Sequence, residues 1–197
     1  MRRRRFLSTV GIGAGGAVLG AGVTAVAADE PAAADTVARR ALAAAPSGVG
    51  RFGRSEIVWS VDTDEDLVAL TFDDGPDPRY TPQILDVLRA AGVPATFNLM
   101  GHNVRAHPDL ARRVIAAGHE IGNHTATHLD LAGADPEVAR AEIDGGLAAL
   151  RTLGLDDVRW FRPPRGDLTG AALRIAAQAG HDVLMWSVDG HPRGHFD

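Results

Sequence analysis

Short apolar runs alternate with segments of helical spacing from about residue 56 onward. The run Leu67-Val68-Ala69-Leu70-Thr71-Phe72 is continuous enough to predict a strand that is buried on both faces. Other strands are predicted around Val58 and Val61 and at residues 95–100, 119–121, 158–161 and 182–188. Strands that alternate with helices indicate right-handed crossovers, and therefore a parallel sheet or a (β/α) barrel.

Four helices are predicted between these strands. Thr81 is predicted to be an N-cap, with Pro82 at the first helical position and Gly92 after the last turn. The other helices are predicted at residues 110–117, from Asp135 to Gly154, and at residues 168–179. The crossovers between strands are therefore helical, as an α/β fold requires.

Polar side chains follow four of the predicted strands. In parallel α/β folds, functional groups gather at the carboxyl ends of the strands. The four groups are Asp73 with Asp74, then His124, Arg162 and Asp189. We therefore expect a functional site on one rim of the sheet.

Residues 1–27 have the pattern of an export signal. Four arginines precede a Gly/Ala-rich apolar stretch that ends in Ala25-Val26-Ala27, a small-x-small cleavage pattern. The segment Arg3-Arg4-Arg5-Phe6-Leu7 resembles a twin-arginine signal. The alternative is an uncleaved membrane anchor, because the apolar stretch approaches the ~18 residues that a span needs. The cleavage pattern favours an exported protein, secreted or in the cell envelope, with membrane contact only through an uncleaved signal.

The rest of the chain divides into a linker and one domain. Residues 28–55 are rich in Ala, Gly and Pro and have few large apolar side chains, which predicts a flexible linker. Residues 56–197 are predicted to form the catalytic domain.

Composition narrows the choice of ligands. The chain has no Cys, which excludes disulfides and thiolate metal sites. Its 20 basic residues are all Arg, and against 25 acidic residues they give a net charge of −5. Without residues 1–27 the balance is 16 Arg to 25 acids, a net charge of −9. So acidic a chain is a poor candidate for nucleic acid or anionic membranes, and a neutral substrate suits it better.

The rim residues can form a metal site with a base beside it. His124 and His128 are spaced i and i+4, so their imidazoles meet on one face if the segment is helical. Two His and one carboxylate can hold a divalent metal and leave positions open for water and substrate. If Asp74 completes that set, Asp73 is free to act as a general base, with Arg162 holding its carboxylate.

Each motif also has an ordinary interpretation when it is taken alone. Asp-Asp-Gly-Pro is a good turn sequence, and His pairs are common on helix surfaces. The segment Arg162-Pro163-Pro164-Arg165-Gly166 could be an extended loop with solvated Arg. Joint placement at strand ends favours a site. The remaining histidines are expected at the surface or in loops: His102, His107, His119, His181, His191 and His195.

Four motifs in this order resemble the polysaccharide deacetylase domain (NodB homology, carbohydrate esterase family 4). They are TFDDGP, HTATH, FRPPRG and LMWSVD, and the resemblance covers about residues 66–190. It implies a distorted (β/α) barrel that holds a divalent metal, Zn²⁺ first and Co²⁺ or another ion as alternatives. It also implies hydrolysis of N- or O-acetyl groups on a polysaccharide such as peptidoglycan, chitin oligomers or xylan.

The resemblance also assigns a role to each rim residue. Asp73 would be the catalytic base, and Arg162 would orient it. Asp74, His124 and His128 would bind the metal. The backbone N–H of Arg165 would help to hold the tetrahedral oxyanion.

Three departures from the family pattern bear on activity. Arg165 stands where the family usually has an aromatic residue, and Pro192 and Arg193 stand where it has an Asp-Trp pair. The closing strand and its Leu-x-x-His general acid are not found, so we expect a C-terminally truncated domain. Loss of the acid would slow hydrolysis by roughly 10²–10⁴-fold, and His191 or His195 is not expected to replace it.

Two other functions fit part of the pattern. A metal- and glycan-binding module without turnover would explain the missing acid, but it does not need an oriented base. An iron oxygenase with two His and one carboxylate fits the ligand set, but not the barrel context.

Overall fold

The computed structural model describes residues 54–190, and within them six strands form one parallel sheet. The strand order is β1-β6-β5-β4-β3-β2, with every neighbouring pair parallel. The strands are β1 (Ile57–Val58), β2 (Thr71–Gly75), β3 (Thr96–Leu99), β4 (Glu120–Asn123), β5 (Trp160–Phe161) and β6 (Asp182–Leu184). The predicted α/β class is confirmed, and the described part of the sheet is open, with β1 and β2 at its edges.

Helices form the crossovers, as the alternating pattern predicted. They are α1 (Thr81–Ala91), α2 (Gly101–Ala106), α3 (Pro108–Ala116), α4 (Pro136–Arg151) and α5 (Gly170–Gln178), with a 3₁₀ turn at Pro164–Gly166. A proline lies in the first turn of α1, α3 and α4, where its missing N–H would have no helical partner in any case. Gly92 ends α1 in the left-handed conformation (φ 64°), which glycine adopts without a Cβ penalty. Among residues 54–190, the helices are all too short or too polar to cross a bilayer.

The first long strand differs from the prediction. Leu67 is buried, but Val68 and Leu70 are 61% and 38% exposed, so a strand buried on both faces over residues 67–72 is wrong. The strand begins only at Thr71, so Val68 and Leu70 precede it, and β2 itself lies at an edge of the described sheet with β3 as its neighbour. The strand also runs further, to Gly75, and so contains Asp73 and Asp74 rather than preceding them.

Two further predictions of local structure are wrong, and one helix was missed. The N-cap of α1 is Tyr80, and the Thr81 hydroxyl instead accepts a hydrogen bond from the Asp77 N–H at 2.9 Å. Helix α2 was not predicted, because six residues are too few to show helical periodicity. The last strand ends at Leu184, and not at residue 188.

Two groups of buried side chains form the core. One packs α1 to α4 against β3 and β4 and includes Leu88, Phe97, Leu99, Val114 and Leu150. The other lies around β5, β6, α4 and α5 and includes Ile143, Phe161, Ile175, Val183 and Met185. Helix α4 contributes to both groups, and so it joins the two halves of the sheet.

His181 is buried in this core, and the expectation that it lies at the surface is wrong. It is 1% exposed and stacks on Phe161 with ring centroids 6.2 Å apart. Its Nδ1 lies 2.6 Å from the Val158 carbonyl oxygen, and its Nε2 lies 3.3 Å from the side-chain nitrogen of Asn123. Nδ1 therefore donates and Nε2 accepts, which is the pattern of a neutral imidazole. Burial lowers the pKa of His181.

We expect the free energy of unfolding to fall as the pH is lowered below about 6.5. The folded pKa of His181 lies below its ordinary value of 6.5, so the unfolded chain binds more protons in that range. Burial lowers the pKa of His119 too, and this residue contributes with the same sign. At about pH 7.5 and above, both groups are almost fully neutral in both states, and the dependence disappears. Urea unfolding between about pH 7.5 and about pH 5 measures the slope.

His181→Gln is the matched variant, because an amide can also donate to Val158 and accept from Asn123. Each proton taken up on unfolding contributes at most about 1.4 kcal/mol per pH unit to the slope. The slope should be shallower in His181→Gln, with the share of His119 remaining. An equal slope in both proteins would contradict the assignment to His181.

Candidate active site

The carboxyl ends of β2, β4 and β5 bring the predicted rim residues together. Asp73 and Asp74 lie in the last part of β2, where the pairing with β3 shifts in register between Phe72 and Gly75. His124 directly follows β4, and Arg162 directly follows β5. Asp189, the fourth predicted group, is exposed beyond the end of β6.

Asp74, His124 and His128 form one cluster of potential metal ligands. Asp74 Oδ1 lies 3.3 Å from Nε2 of each histidine. One ligand atom from each of the three residues lies within 4.8 Å of the others. The hydrogen bond from His124 lowers the pKa of Asp74, burial opposes that shift, and the nearby charges of both histidines add to it.

The two histidines meet through a tight loop and not on a helix. The residues between β4 and α4 have no helical turn at 124–128, so the helical condition of the sequence analysis is not met. Thr125 and His128 have left-handed backbone, with φ of 67° and 65°. This turn still places the imidazole centroids 5.1 Å apart. Asp74 is left-handed as well (φ 65°), and uncommon backbone of this kind clusters at functional sites.

The orientation of His124 is fixed by the backbone of the next strand end. His124 is 2% exposed, and its Nδ1 lies 2.7 Å from the carbonyl oxygen of Arg162. That carbonyl can only accept, so Nδ1 donates its proton to it, and Nε2 is the ring nitrogen that faces Asp74. Metal-binding histidines commonly donate their second N–H in this way.

Two side chains outside the motif hold the His-bearing loop. The Asn123 amide accepts from the Thr125 N–H at 3.0 Å and donates to the Ile143 carbonyl at 2.8 Å. From α4, the carboxylate of Glu142 accepts from the N–H groups of Ala126 and Thr127 at 3.1 and 2.9 Å, and from the Thr127 hydroxyl at 2.8 Å. Neither residue was predicted, because Asn123 is the last residue of a strand and Glu142 has the pattern of a solvated helix residue.

Close approach of α4 to this loop depends on Gly146. A Cβ at this position would lie 2.1 Å from Asn123 Oδ1 and 2.8 Å from the backbone of Thr125. Real Cβ atoms essentially never come within 3.0 Å of such neighbours, so either the loop or the helix would have to move. The sequence of α4 alone gives no sign of this constraint.

We expect Gly146→Ala to destabilise the protein by about 1–3 kcal/mol, the usual cost of overpacking. Gly→Ala inside a helix ordinarily stabilises by about 0.5–1 kcal/mol, so the sign itself is informative. Gly170→Ala, in the first turn of α5 where a Cβ would meet open space, is the control and should be neutral or slightly stabilising. Urea unfolding of both variants measures the difference. A stabilised Gly146→Ala protein would show that the loop is not packed against α4 as described.

Arg162 is buried and connects β2, β5 and β6. Its side chain is 3% exposed. Nε donates to the Leu184 carbonyl at 2.8 Å, and Nη2 donates to the Met185 carbonyl at 3.0 Å. Nη1 donates to the hydroxyl of Thr71 and to Asp73 Oδ1, both at 2.8 Å. Arg162 is therefore fixed in place and in turn fixes one oxygen of Asp73.

Asp73 has a second partner that the sequence analysis did not predict. The side-chain amide of Asn98, on β3, donates to Asp73 Oδ1 at 2.7 Å. Arg165, the remaining predicted site residue, has left-handed backbone (φ 56°) in the 3₁₀ turn after β5. Its side chain is 68% exposed and lies 3.5 Å from Asp130, so it points to the rim surface and not towards Asp73.

The donor set fits a divalent ion such as zinc. Ligand atoms about 2.1 Å from a tetrahedral Zn²⁺ lie about 3.4 Å apart. The two Asp74–histidine distances of 3.3 Å match that spacing before any adjustment. Two imidazole nitrogens and one carboxylate oxygen leave a coordination position open, as catalytic zinc sites do.

The domain is a parallel α/β fold with one Asp and two His ligands at its strand ends, beside a second Asp that a buried Arg holds. These features define the class of protein. The chain belongs to the polysaccharide deacetylase family, whose profile matches residues 60–184.

Curated relatives agree with this membership. The chain is 39% identical over 137 residues to a peptidoglycan-N-acetylglucosamine deacetylase of Bacillus cereus, covering 70% of this chain and 64% of the relative. It is 44% identical over 123 residues to a chitooligosaccharide deacetylase of Bradyrhizobium sp., covering 62% of this chain and 56% of the relative. The chain therefore spans less than two thirds of the length of either relative.

Among solved structures, a CE4 family pseudoenzyme from Bacillus anthracis has the same fold. The TM-score is 0.64 at 27% identity, covering 68% of this chain and 48% of that one. Membership of the family is thus compatible both with catalysis and with loss of catalysis.

Proposed function

We propose that this domain is a metal-dependent hydrolase that removes acetyl groups from a polysaccharide. The observation that carries the proposal is the convergence of Asp74, His124 and His128 beside Asp73, which Arg162 holds by a 2.8 Å hydrogen bond. A site that only bound metal would not need the second carboxylate or its buried partner. The relatives named for peptidoglycan and for chitooligosaccharides support these N-acetylated polymers ahead of O-acetylated xylan.

Asp74, His124 and His128 are the residues that would hold the ion. Zn²⁺ suits this N,N,O set best, and Co²⁺ is the next candidate. When bound, such an ion polarises a carbonyl and makes a coordinated water more acidic. The protein's own contribution is to keep both Nε2 atoms aimed at Asp74, through the Arg162 carbonyl for His124 and through the turn at Thr125 for His128.

Asp73 would act as the general base. Its carboxylate is 32% exposed, so a water molecule can reach it, whereas Arg162 behind it is 3% exposed. Asp73 would take a proton from the water that attacks the acetyl carbon, and Arg162 would stop the carboxylate from turning away. General-base assistance of this kind contributes about 10²–10⁴-fold to a rate.

The backbone of Arg165 is the candidate oxyanion donor. The N–H of Arg162 donates to the Asn123 carbonyl at 2.9 Å, and Pro163 and Pro164 have no N–H, so the next backbone donor is the N–H of Arg165. The two turn hydrogen bonds of this segment use the N–H groups of Gly166 and Asp167, both at 3.0 Å. The N–H of Arg165 would therefore serve the developing negative charge on the acetyl oxygen.

We also propose that the protein works outside the cytoplasm. The support is the pattern of residues 1–27, which, with most of the predicted linker at 28–55, lies outside the described residues. An extracellular location would bring the site to cell-wall or environmental glycans. The acidic balance of the chain suits a neutral polymer better than nucleic acid.

A metal- and glycan-binding module without turnover is the second candidate. The likeness to a CE4 family pseudoenzyme favours it. The ordered contacts of Asp73 argue for turnover, because binding alone would gain nothing from them. His191 and His195, considered as substitutes for a general acid, lie outside the described residues.

Acetate release by the purified chain tests the proposal. The substrates are N-acetylglucosamine oligomers, peptidoglycan and acetylated xylan, each incubated after chelation and again after zinc is restored. We expect acetate that disappears on chelation and returns with zinc. A folded, zinc-loaded protein that binds the oligomers and releases no acetate would instead establish the binding module.

A further inference from the structure

Asp73 receives two hydrogen bonds, and both end on the same oxygen. Arg162 Nη1 and Asn98 Nδ2 donate to Oδ1 at 2.8 and 2.7 Å, and among residues 54–190 no donor reaches Oδ2. We propose that Asn98 is a second positioning residue, which together with Arg162 fixes Oδ1 and leaves Oδ2 as the oxygen that accepts the proton. This inference rests on the proposed deacetylase function.

The hydrogen bond to Asp73 is what explains a buried Asn98. It is 0% exposed, and its side chain hydrogen-bonds to Asp73 alone among the described residues. Its own Oδ1 has no partner there. An unsatisfied buried polar atom costs stability, so an apolar side chain at this place in β3 would suit the fold better. The amide is therefore explained by what it does for Asp73.

The orientation of the amide follows from the charge of its partner. If the Asn98 nitrogen and oxygen exchanged places, the amide oxygen would face a carboxylate oxygen at 2.7 Å, and two acceptors would repel each other. A carboxylate that already accepts from Arg162 needs a donor there. The unpartnered oxygen of Asn98 is thus forced to the opposite side, towards β4.

Gly122 on β4 provides the space for that oxygen. Asn98 and Gly122 are paired in register between β3 and β4. A Cβ on Gly122 would lie 2.1 Å from Asn98 Oδ1 and 3.2 Å from its Cγ. Any residue larger than glycine at position 122 would displace the amide, so β3 and β4 fit together around the contact between Asn98 and Asp73.

The second donor restricts the motion that one hydrogen bond permits. With Arg162 alone, the Asp73 carboxylate can rotate about its terminal bond and exchange its two oxygens, because that torsion is broad. Donors from β3 and from the end of β5, both on Oδ1, oppose this exchange. Oδ2 then keeps one direction, which is what proton transfer to a positioned base requires.

The test compares Asn98→Leu with Thr96→Val in the full chain. Leu has a similar volume and no donor, and Thr96 is a buried polar residue on the same face of β3, two positions away from Asn98. Acetate release gives kcat and KM, zinc titration gives metal affinity, and urea unfolding gives stability. We expect Asn98→Leu to lower kcat about tenfold or more with KM and zinc affinity unchanged. Thr96→Val should retain kcat. Equal kcat in Asn98→Leu and wild type would overturn the proposal.

A double-mutant cycle on unfolding tests the contact without activity. It combines Asn98→Leu with Asp73→Ala, and a hydrogen bond to a charged group predicts a coupling of about tenfold or more in the unfolding equilibrium constant. Additive effects would overturn the proposal even if the enzyme is active. If the wild type releases no acetate, the proposed function fails and the cycle alone decides whether Asn98 holds Asp73. Should Asn98→Leu not fold, Asn98→Ser, which is too short to reach Asp73, replaces it in both experiments.

Discussion

Asp73→Asn is expected to lower acetate release by about 10²–10⁴-fold while leaving the affinity for zinc unchanged. An amide has almost the shape of a carboxylate, and its oxygen can still accept from Arg162 and Asn98. It cannot take a proton from water at neutral pH. The variant therefore removes the base and keeps the geometry around it.

Zinc affinity should survive because Asp73 lies outside the ligand cluster. The atoms that converge belong to Asp74, His124 and His128, and Asp73 is instead directed to Arg162. Kinetics with acetylated oligomers and zinc titration measure the two effects separately. Asp86→Asn, which removes an exposed carboxylate that pairs with Arg89 at 3.5 Å, is the matched control and should keep full activity.

Two results would contradict the division of roles between the adjacent carboxylates. Loss of zinc binding in Asp73→Asn would mean that Asp73 is a ligand. Unchanged acetate release would mean that another group takes the proton. Either outcome is separate from failure of the proposed function, which the wild type alone decides.

The order of elements could be predicted from the sequence, but the edges of the elements could not. Alternating apolar runs and segments of helical spacing predicted parallel strands joined by helices, because the spacing of apolar residues reflects which side chains are buried. The strand predicted at residues 67–72 was wrongly placed, since an apolar run shows neither that β2 begins only at Thr71 nor that it has one strand as its neighbour. Only the strand order shows that β2 is at an edge.

The residues of the predicted site lie together, but most of their supports were not predictable. Asp73 and Asp74 lie in the last part of β2, and His124 and Arg162 directly follow β4 and β5, so a rule about strand ends was enough to find them. Asn98 lies inside the buried strand β3, and nothing local indicates that its partner is 25 positions earlier. Glu142 and Gly146 act on the His-bearing loop from a helix that follows it.

The backbone of the loop was the other unpredictable feature. The i and i+4 spacing of His124 and His128 is meaningful only on a helix, yet the rings meet through left-handed backbone at Thr125 and His128. A β-branched residue seldom adopts that conformation. Asn123 and Glu142 hold this backbone conformation by accepting hydrogen bonds from the N–H groups of Thr125 and Thr127, and both residues lie outside the HTATH motif.

Arg162→Lys is expected to lower both stability and activity, although it keeps the charge. The guanidinium satisfies the carbonyls of Leu184 and Met185 and reaches Thr71 and Asp73 from one planar group. An ammonium is a single point that cannot serve both β6 and β2 at once. Two buried carbonyl oxygens would lose their donor, at about 1–3 kcal/mol each, so we expect a loss of about 2–6 kcal/mol.

The same substitution three residues earlier provides the control. Arg159 pairs with Asp182 at 2.7 Å and stacks over Trp160, but its side chain is 34% exposed. Asp182 is 16% exposed, so the pair is partly buried. Lys keeps the charge, however, and the Arg159 side chain pairs with a carboxylate rather than with a buried carbonyl, so Arg159→Lys should cost less than Arg162→Lys. Urea unfolding and acetate release measure both variants, with zinc affinity as a check that the ligand cluster is intact.

The pattern of losses separates the two tasks of Arg162. If it only held the strands together, Arg162→Lys would be less stable, but the folded fraction would keep its kcat. If it also orients Asp73, kcat should fall by about 10² in protein that is still folded and zinc-loaded, because a misplaced base is costly. Equal stability of the Arg162→Lys and Arg159→Lys proteins would contradict the buried network itself, since only Arg162 spans β2 and β6.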